Sequence, residues 1–196
     1  VTNILTSNFP KSLTVAGKEC PITWGHRNCL KIMIELEKKD LTPDEQLIYL
    51  VQALYVDIPE EFPEAVERAL WFMHGGKPLD EAVAKADPVR TFSYEKDAEL
   101  IYAAFSTRHG IDMASADMHW WRFRALFADL RETTFSELCS LRKRYHDGEC
   151  NEYELNAISN MGDAFYLDDL KREDLSWEES RNLEAFEAAE RAGIYG

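Results

Sequence analysis

Hydrophobic positions along this chain recur mostly at helical spacing, and only its first two dozen residues depart from that pattern. There, Leu13-Thr14-Val15 and Glu19-Cys20-Pro21-Ile22 flank the tripeptide Ala16-Gly17-Lys18. Two short strands around a glycine turn are predicted, a hairpin over about residues 12–22. Such a pair is marginal alone, so it is expected to lie against helices or to pair with a strand of a neighbouring subunit.

Beyond Trp24 the punctuation is helical. Thr42-Pro43-Asp44-Glu45 supplies an N-cap, a proline at the first helical position and a capping-box glutamate, ahead of Leu47, Val51 and Leu54 on one stripe. Ser93 opens another helix, whose Tyr94, Ala98, Ile101 and Phe105 share a face and which Gly110 can end. Thr134 with Glu137, and Ser176 with Glu179, repeat the capping-box spacing, and Gly148 and Gly193 are stops. Stretches 26–39, 63–73, 78–86 and 151–170 also fit helices, with Gly162 interrupting the last. The expectation is a mainly α protein of about seven to nine helices with a small N-terminal β-hairpin.

The densest aromatic stretch is DMHWWRFRALFADL, residues 117–130. On a helical wheel His119, Trp120, Phe123, Leu126, Phe127 and Leu130 cover one arc, and Met118, Trp121 and Ala125 the other flank. Arg122 and Asp129 form the polar wedge, and Arg124 falls between Trp120 and Ala128. A helix apolar on two sides is either central in its domain or shared with a partner. Core packing explains it, since each large buried aromatic contributes roughly 1.5–3 kcal/mol. Interleaved Trp and Arg also mark interface hot spots, which makes Trp120, Trp121, Phe123, Arg124 and Phe127 candidate partner-binding residues.

Charge narrows the partners. The chain has 36 acidic and 22 basic residues, a net charge of −14, so it repels phosphate backbones and nucleic-acid binding is disfavoured. Asp147 to Arg191 holds 14 Asp and Glu against 4 Lys and Arg, making residues 147–196 an acidic helical extension of the preceding region 1–146. Soft boundaries fall at Ala86-Asp87-Pro88 and His146-Asp147-Gly148-Glu149. The one basic region, Arg142-Lys143-Arg144 with Arg122, Arg124 and Arg131, suits an intramolecular or intersubunit contact with that acidic part. Cys20, Cys29, Cys139 and Cys150 show no C-x-x-C spacing, which fits a reducing cytoplasm. Neither a signal peptide nor a membrane-spanning run is expected.

One cluster resembles metal ligands. With 111–116 as a loop, His109, Asp112, Asp117 and His119 could approach one another as in a small metal-dependent hydrolase, although their spacing matches no defined motif. Simpler roles exist: His109 at a helix C-terminus, Asp117 in a first helical turn, and His119 as a hydrogen-bonded core histidine. No G-x-S-x-G, phosphate loop or G-x-G-x-x-G occurs, and Gly75-Gly76-Lys77 reads as a helix stop.

Ser93-Tyr94-Glu95-Lys96-Asp97, Ile101-Tyr102-Ala103-Ala104-Phe105, His109-Gly110-Ile111-Asp112-Met113 and the run Met118 to Phe127 together are distinctive. With Asn3-Ile4-Leu5, the hairpin and Arg144-Tyr145, they resemble the bacteriophage family named for the fifteenth gene product of a tailed phage, over roughly residues 3–146. The chain departs from that family in having His109 where tyrosine is usual, and in ending on an acidic rather than a lysine-rich segment. The resemblance implies a non-enzymatic tail assembly chaperone, acting in the host bacterial cytoplasm. It implies a gene between those of the major tail protein and the tape-measure protein, whose long helices the chaperone keeps soluble. Tape-measure protein or other tail proteins, and further copies of the chain, are the implied partners; no cofactor and no catalytic residue are implied. For residues 147–196 the resemblance suggests a frameshift-type extension, beside the plainer reading of acidic helices closing the same domain. A structural tail or connector protein retained in the virion is the remaining alternative.

Overall fold

Ser12–Val15 (β1) and Lys18–Pro21 (β2) pair antiparallel, with Val15 opposite Lys18 and Ser12 opposite Pro21. The two residues joining them, Ala16 and Gly17, both take positive φ, 49° and 74°. That left-handed pair lets a two-residue turn follow the twist of its strands. The protein, seen here as a computed structural model, is described over residues 5–38, 40–77 and 89–167. Among the described residues seven α-helices follow the hairpin: His26–Leu36 (α1), Pro43–Leu54 (α2), Phe62–Met73 (α3), Ala98–His109 (α4), Trp120–Phe127 (α5), Thr134–His146 (α6) and Glu152–Met161 (α7). The protein is therefore mainly α. The helices expected at 78–86 and after Ser176, with the stop at Gly193, lie outside the described residues. No helix among the described residues is long and apolar enough to cross a membrane.

Most helix ends follow from local chemistry. At α2 the Thr42 hydroxyl accepts the Glu45 amide and the Glu45 carboxylate accepts the Thr42 amide, with Pro43 at the first helical position. Gly110 (φ 63°) closes α4 and Gly148 (φ 70°) closes α6, both in the left-handed region that favours glycine. Three starts shift from the expected residue. Ser93 opens a turn rather than a helix: its hydroxyl accepts the amides of Glu95 and Lys96 and donates to Glu37, so helical geometry begins at Ala98. α6 is capped by Thr133, not Thr134, because the Thr133 and Ser136 hydroxyls each accept the other's amide. α5 begins at Trp120, which leaves Asp117 and Met118 ahead of the helix. α7 stops at Met161, where Gly162 turns to φ 55° and a 3-10 turn follows.

The described residues form two compact units. The first comprises 5–38, 40–77 and 93–137. Its hairpin lies against helices: β1 packs on α3, the Ala16 amide donates to Glu64 at 2.9 Å, and the Val56 amide donates to the Pro21 carbonyl at 3.0 Å. Its core is aromatic, with Phe123 stacked on Trp120 at 5.3 Å and on Phe105 at 5.1 Å; Ile32, Leu50, Leu54 and Phe72 are buried as well. Apolar burial of this kind is the main favourable term in folding.

The second unit comprises 89–92 and 138–167. Leu141, Ile158 and Phe165 form its core, with Leu138, Tyr145, Cys150 and Tyr166 packed around them. Arg142 is fully buried in it and donates to the carbonyls of Phe165 at 2.6 Å, Thr91 at 3.1 Å and Ala164 at 3.2 Å. A buried guanidinium that satisfies backbone carbonyls ties three chain segments together.

Candidate functional site

α5 owes its start to His119, whose backbone is extended (φ −66°, ψ 145°) and whose Nδ1 accepts the Trp121 amide at 3.1 Å. An accepting Nδ1 places the ring proton on Nε2, which donates to the Pro10 carbonyl at 2.8 Å. The imidazole is enclosed by Phe9 at 4.8 Å, Trp24 at 5.6 Å and Phe72 at 5.7 Å. It is a hydrogen-bonded core histidine serving as a helix cap.

The tryptophan pair answers a need of another helix. The last carbonyls of α3 lack intrahelical donors. The Met73 carbonyl accepts Trp120 Nε1–H at 3.0 Å and also the Arg124 guanidinium, and the Phe72 carbonyl accepts Trp121 Nε1–H at 2.8 Å. Backbone amides of His74, Gly75 and Gly76 take the carbonyls of Leu70, Phe72 and Trp71. A cation is also favoured at a helix C-terminus. Gly75 and Gly76 (φ 74° and 78°) turn the chain out of the way, and a Cβ on Gly76 would sit 2.7 Å from the Trp121 ring. Both the backbone angle and the close approach demand glycine there.

Of the five candidate partner-binding residues, Trp120, Trp121 and Phe123 are therefore buried in the first unit's own core. Arg124 and Phe127 are half-buried, Phe127 lying 5.4 Å from Tyr94 and 5.5 Å from Phe135. The structure brings all five together on one helix, with Arg122 and Ala125 as its exposed side and exposed Ala128 and Asp129 following its end.

The residues weighed as metal ligands are not assembled. His109 Nε2 donates to the Leu126 carbonyl at 2.9 Å, capping the end of α5 as α5 caps α3. Asp112 holds the loop that follows α4, accepting from Tyr102 at 2.7 Å, Ser115 at 2.7 Å and the Ala114 amide at 2.9 Å. Its hydrogen bond from Ser115 first, then those from Tyr102 and Ala114, keep its carboxyl below the usual range. Asp117 is exposed, and both nitrogens of His119 are engaged. Among the described residues no three His, Cys, Asp or Glu side chains are grouped to hold a metal ion. The four residues weighed for a metal-dependent hydrolase are thus not gathered into one metal site: His109 is engaged with the Leu126 carbonyl, and His119 with the Pro10 carbonyl and the Trp121 amide. Arg27, which sequence reasoning passed over, clamps the same loop through the carbonyls of Met113, Ala114 and Ala116.

In the second unit the basic run is also used internally. Besides buried Arg142, Lys143 pairs with Asp147, and Arg144 with Glu154 at 2.6 Å.

Burial depresses the pKa of two core imidazoles, His119 and His26, the latter donating from Nδ1 to the Met118 carbonyl at 3.2 Å. Above their ordinary value of 6.5 neither the folded nor the unfolded chain protonates them. Below it the unfolded chain takes up protons that the folded chain resists, so stability falls with pH. The thermal midpoint is expected to be lower at pH 5.5 than at pH 7.5. The carboxylates with lowered pKa, Glu45, Asp112, Asp147 and Glu154, titrate below that window. Scanning calorimetry at the two pH values checks this; an equal or higher midpoint at the acidic one contradicts it.

Comparison with known proteins bears on these observations. No curated protein and no solved structure matches the chain. Residues 5–167 match the family described as Bacteriophage Gp15 protein, a span that takes in the hairpin, all seven described helices and the Leu167 that ends the second unit's described part. With most of its length matched, this chain belongs to the bacteriophage Gp15 protein family.

Proposed function

We propose that the protein is a phage or prophage tail assembly chaperone, non-enzymatic, which binds the tape-measure protein while the tail is built in the host cytoplasm. The observation that carries this reading is membership of the bacteriophage Gp15 family over residues 5–167. Two physical features support it. His119, Trp120, Trp121 and Arg124 of the aromatic segment are spent on helix capping, as expected of a scaffold that presents a surface. The net charge of −14 suits a basic partner and repels nucleic acid. In this scheme Trp120, Trp121, Phe123, Arg124 and Phe127 serve partner binding by fixing the scaffold, since the first three are closed to contact.

Co-expression with the tape-measure protein of the same genome, followed by light-scattering chromatography, tests the proposal. The expected result is one co-eluting species in which the tape-measure chain stays in solution. If the two elute apart, and the protein is instead found in purified virions, a tail or connector component replaces the chaperone.

A further inference from the structure

Seven large hydrophobic side chains are exposed among the described residues, and three of them, Ile48, Val56 and Ile58, fall within residues 40–67. The same 28 residues contain eight carboxylates (Asp40, Asp44, Glu45, Asp57, Glu60, Glu61, Glu64 and Glu67) and not one lysine or arginine. A single exposed aliphatic residue needs no explanation. Here two β-branched ones, Val56 at 60% and Ile58 at 57% exposed, stand two residues apart in the turn between α2 and α3. Exposed Asp57, Glu60 and Glu61 border them.

This turn is held in shape. The Tyr55 hydroxyl crosses it to the Ala65 carbonyl at 3.0 Å. The Val56 amide is fixed to Pro21 and the Ala65 amide to the Glu61 carbonyl, both at 3.0 Å. Tyr55 itself is buried, and burial pushes its phenol pKa up, so the hydroxyl stays a donor across the physiological range. A turn already ordered in the free protein loses little entropy on binding.

Apolar anchors bordered by carboxylates on a preordered turn complement a helix with an apolar stripe and flanking cations. We infer that the α2–α3 corner, through Val56 and Ile58 with Asp57, Glu60 and Glu61, docks a basic amphipathic helix of a partner protein. This inference rests on the chaperone reading to the extent that it names the face that reading requires. The anchors supply contact area, and the carboxylates speed encounter and select against acidic helices.

The probe is a fluorescein-labelled amphipathic helix of leucine and lysine, with a leucine and glutamate peptide of the same pattern as control. Fluorescence anisotropy is expected to show binding of the lysine peptide only, weakening as salt rises. Val56→Ser with Ile58→Ser, both at exposed positions, is expected to weaken binding about tenfold or more. Asp57→Asn with Glu60→Gln and Glu61→Gln should weaken it and flatten its salt dependence. Tyr153→Ser, at an exposed position on α7, should leave it unchanged, and thermal melting confirms that every variant is folded. The inference is overturned if the lysine peptide does not bind, if the glutamate peptide binds equally, or if a folded Val56/Ile58 variant binds like the parent. The same variant in the tape-measure co-expression separates the two ideas. Capture that survives the substitutions removes this docking face and leaves the chaperone intact, whereas peptide binding at the corner without tape-measure capture keeps the face and removes the chaperone.

Discussion

Trp120→Ala is expected to lower the free energy of unfolding by about 3–5 kcal/mol, the usual range for truncating a buried large aromatic. The ring is 1% exposed, stacks on Phe123 and caps the Met73 carbonyl through Nε1. Alanine removes the transfer term, leaves a cavity in a close-packed interior and withdraws one of the two side-chain donors to the Met73 carbonyl. Against a typical total of about 5–15 kcal/mol that is a large share. Trp120→Phe separates the contributions: it keeps most of the stacking and loses the indole N–H, while Arg124 still reaches the same carbonyl. Its cost is expected near 1 kcal/mol. Urea denaturation of the two variants and the parent measures both; a loss below about 1 kcal/mol for alanine would show that the ring is not a main support of the core.

Arg142→Ala is expected to cost about 3 kcal/mol or more, because hydrogen bonds to a charged donor are worth roughly 1.5–3 kcal/mol each before non-additivity. Its donors reach the Phe165, Ala164 and Thr91 carbonyls, and its guanidinium lies 5.9 Å from the centre of the Phe165 ring. Arg142→Lys should recover little, since an ammonium on a flexible stem lacks the planar fork that spans carbonyls on separate segments. Hydrogen exchange localises the effect: amides of α7 are expected to exchange faster in either variant while those of α5 keep their protection. Uniform loss across both units, or a lysine variant as stable as the parent, contradicts this account of Arg142.

Several features of the fold were legible from residues a few positions apart. The Thr42, Pro43 and Glu45 cap, the stops at Gly110 and Gly148, and a hairpin turning at Gly17 are set by local donors, acceptors and permitted φ, which is why pattern reading found them, although Lys18, read as part of the turn, belongs to β2. Where it slipped, at Ser93, Thr134 and the start of α5, a competing donor or acceptor lay one residue along the chain or on another helix. Glu37 of the α1 end holds Ser93 and Tyr94, a contact across 56 positions that no window on 93–105 reveals.

The aromatic segment shows the limit most clearly. Its composition announced a helix of unusual importance and listed both explanations, interior and interface. Neither periodicity nor charge could say that two indole N–H groups and a guanidinium would meet the carbonyls of Phe72 and Met73, about fifty residues earlier. Gly75-Gly76 is the one sequence signal, read alone as a helix stop and explained only by the Trp121 ring beside it. Helical periodicity, capping and charge depend on near neighbours and are written in the chain order itself. Which polar groups satisfy one another, which aromatics are buried, and which aliphatic and acidic residues remain exposed at the α2–α3 corner depend on distant segments meeting, and only the folded chain brings them together.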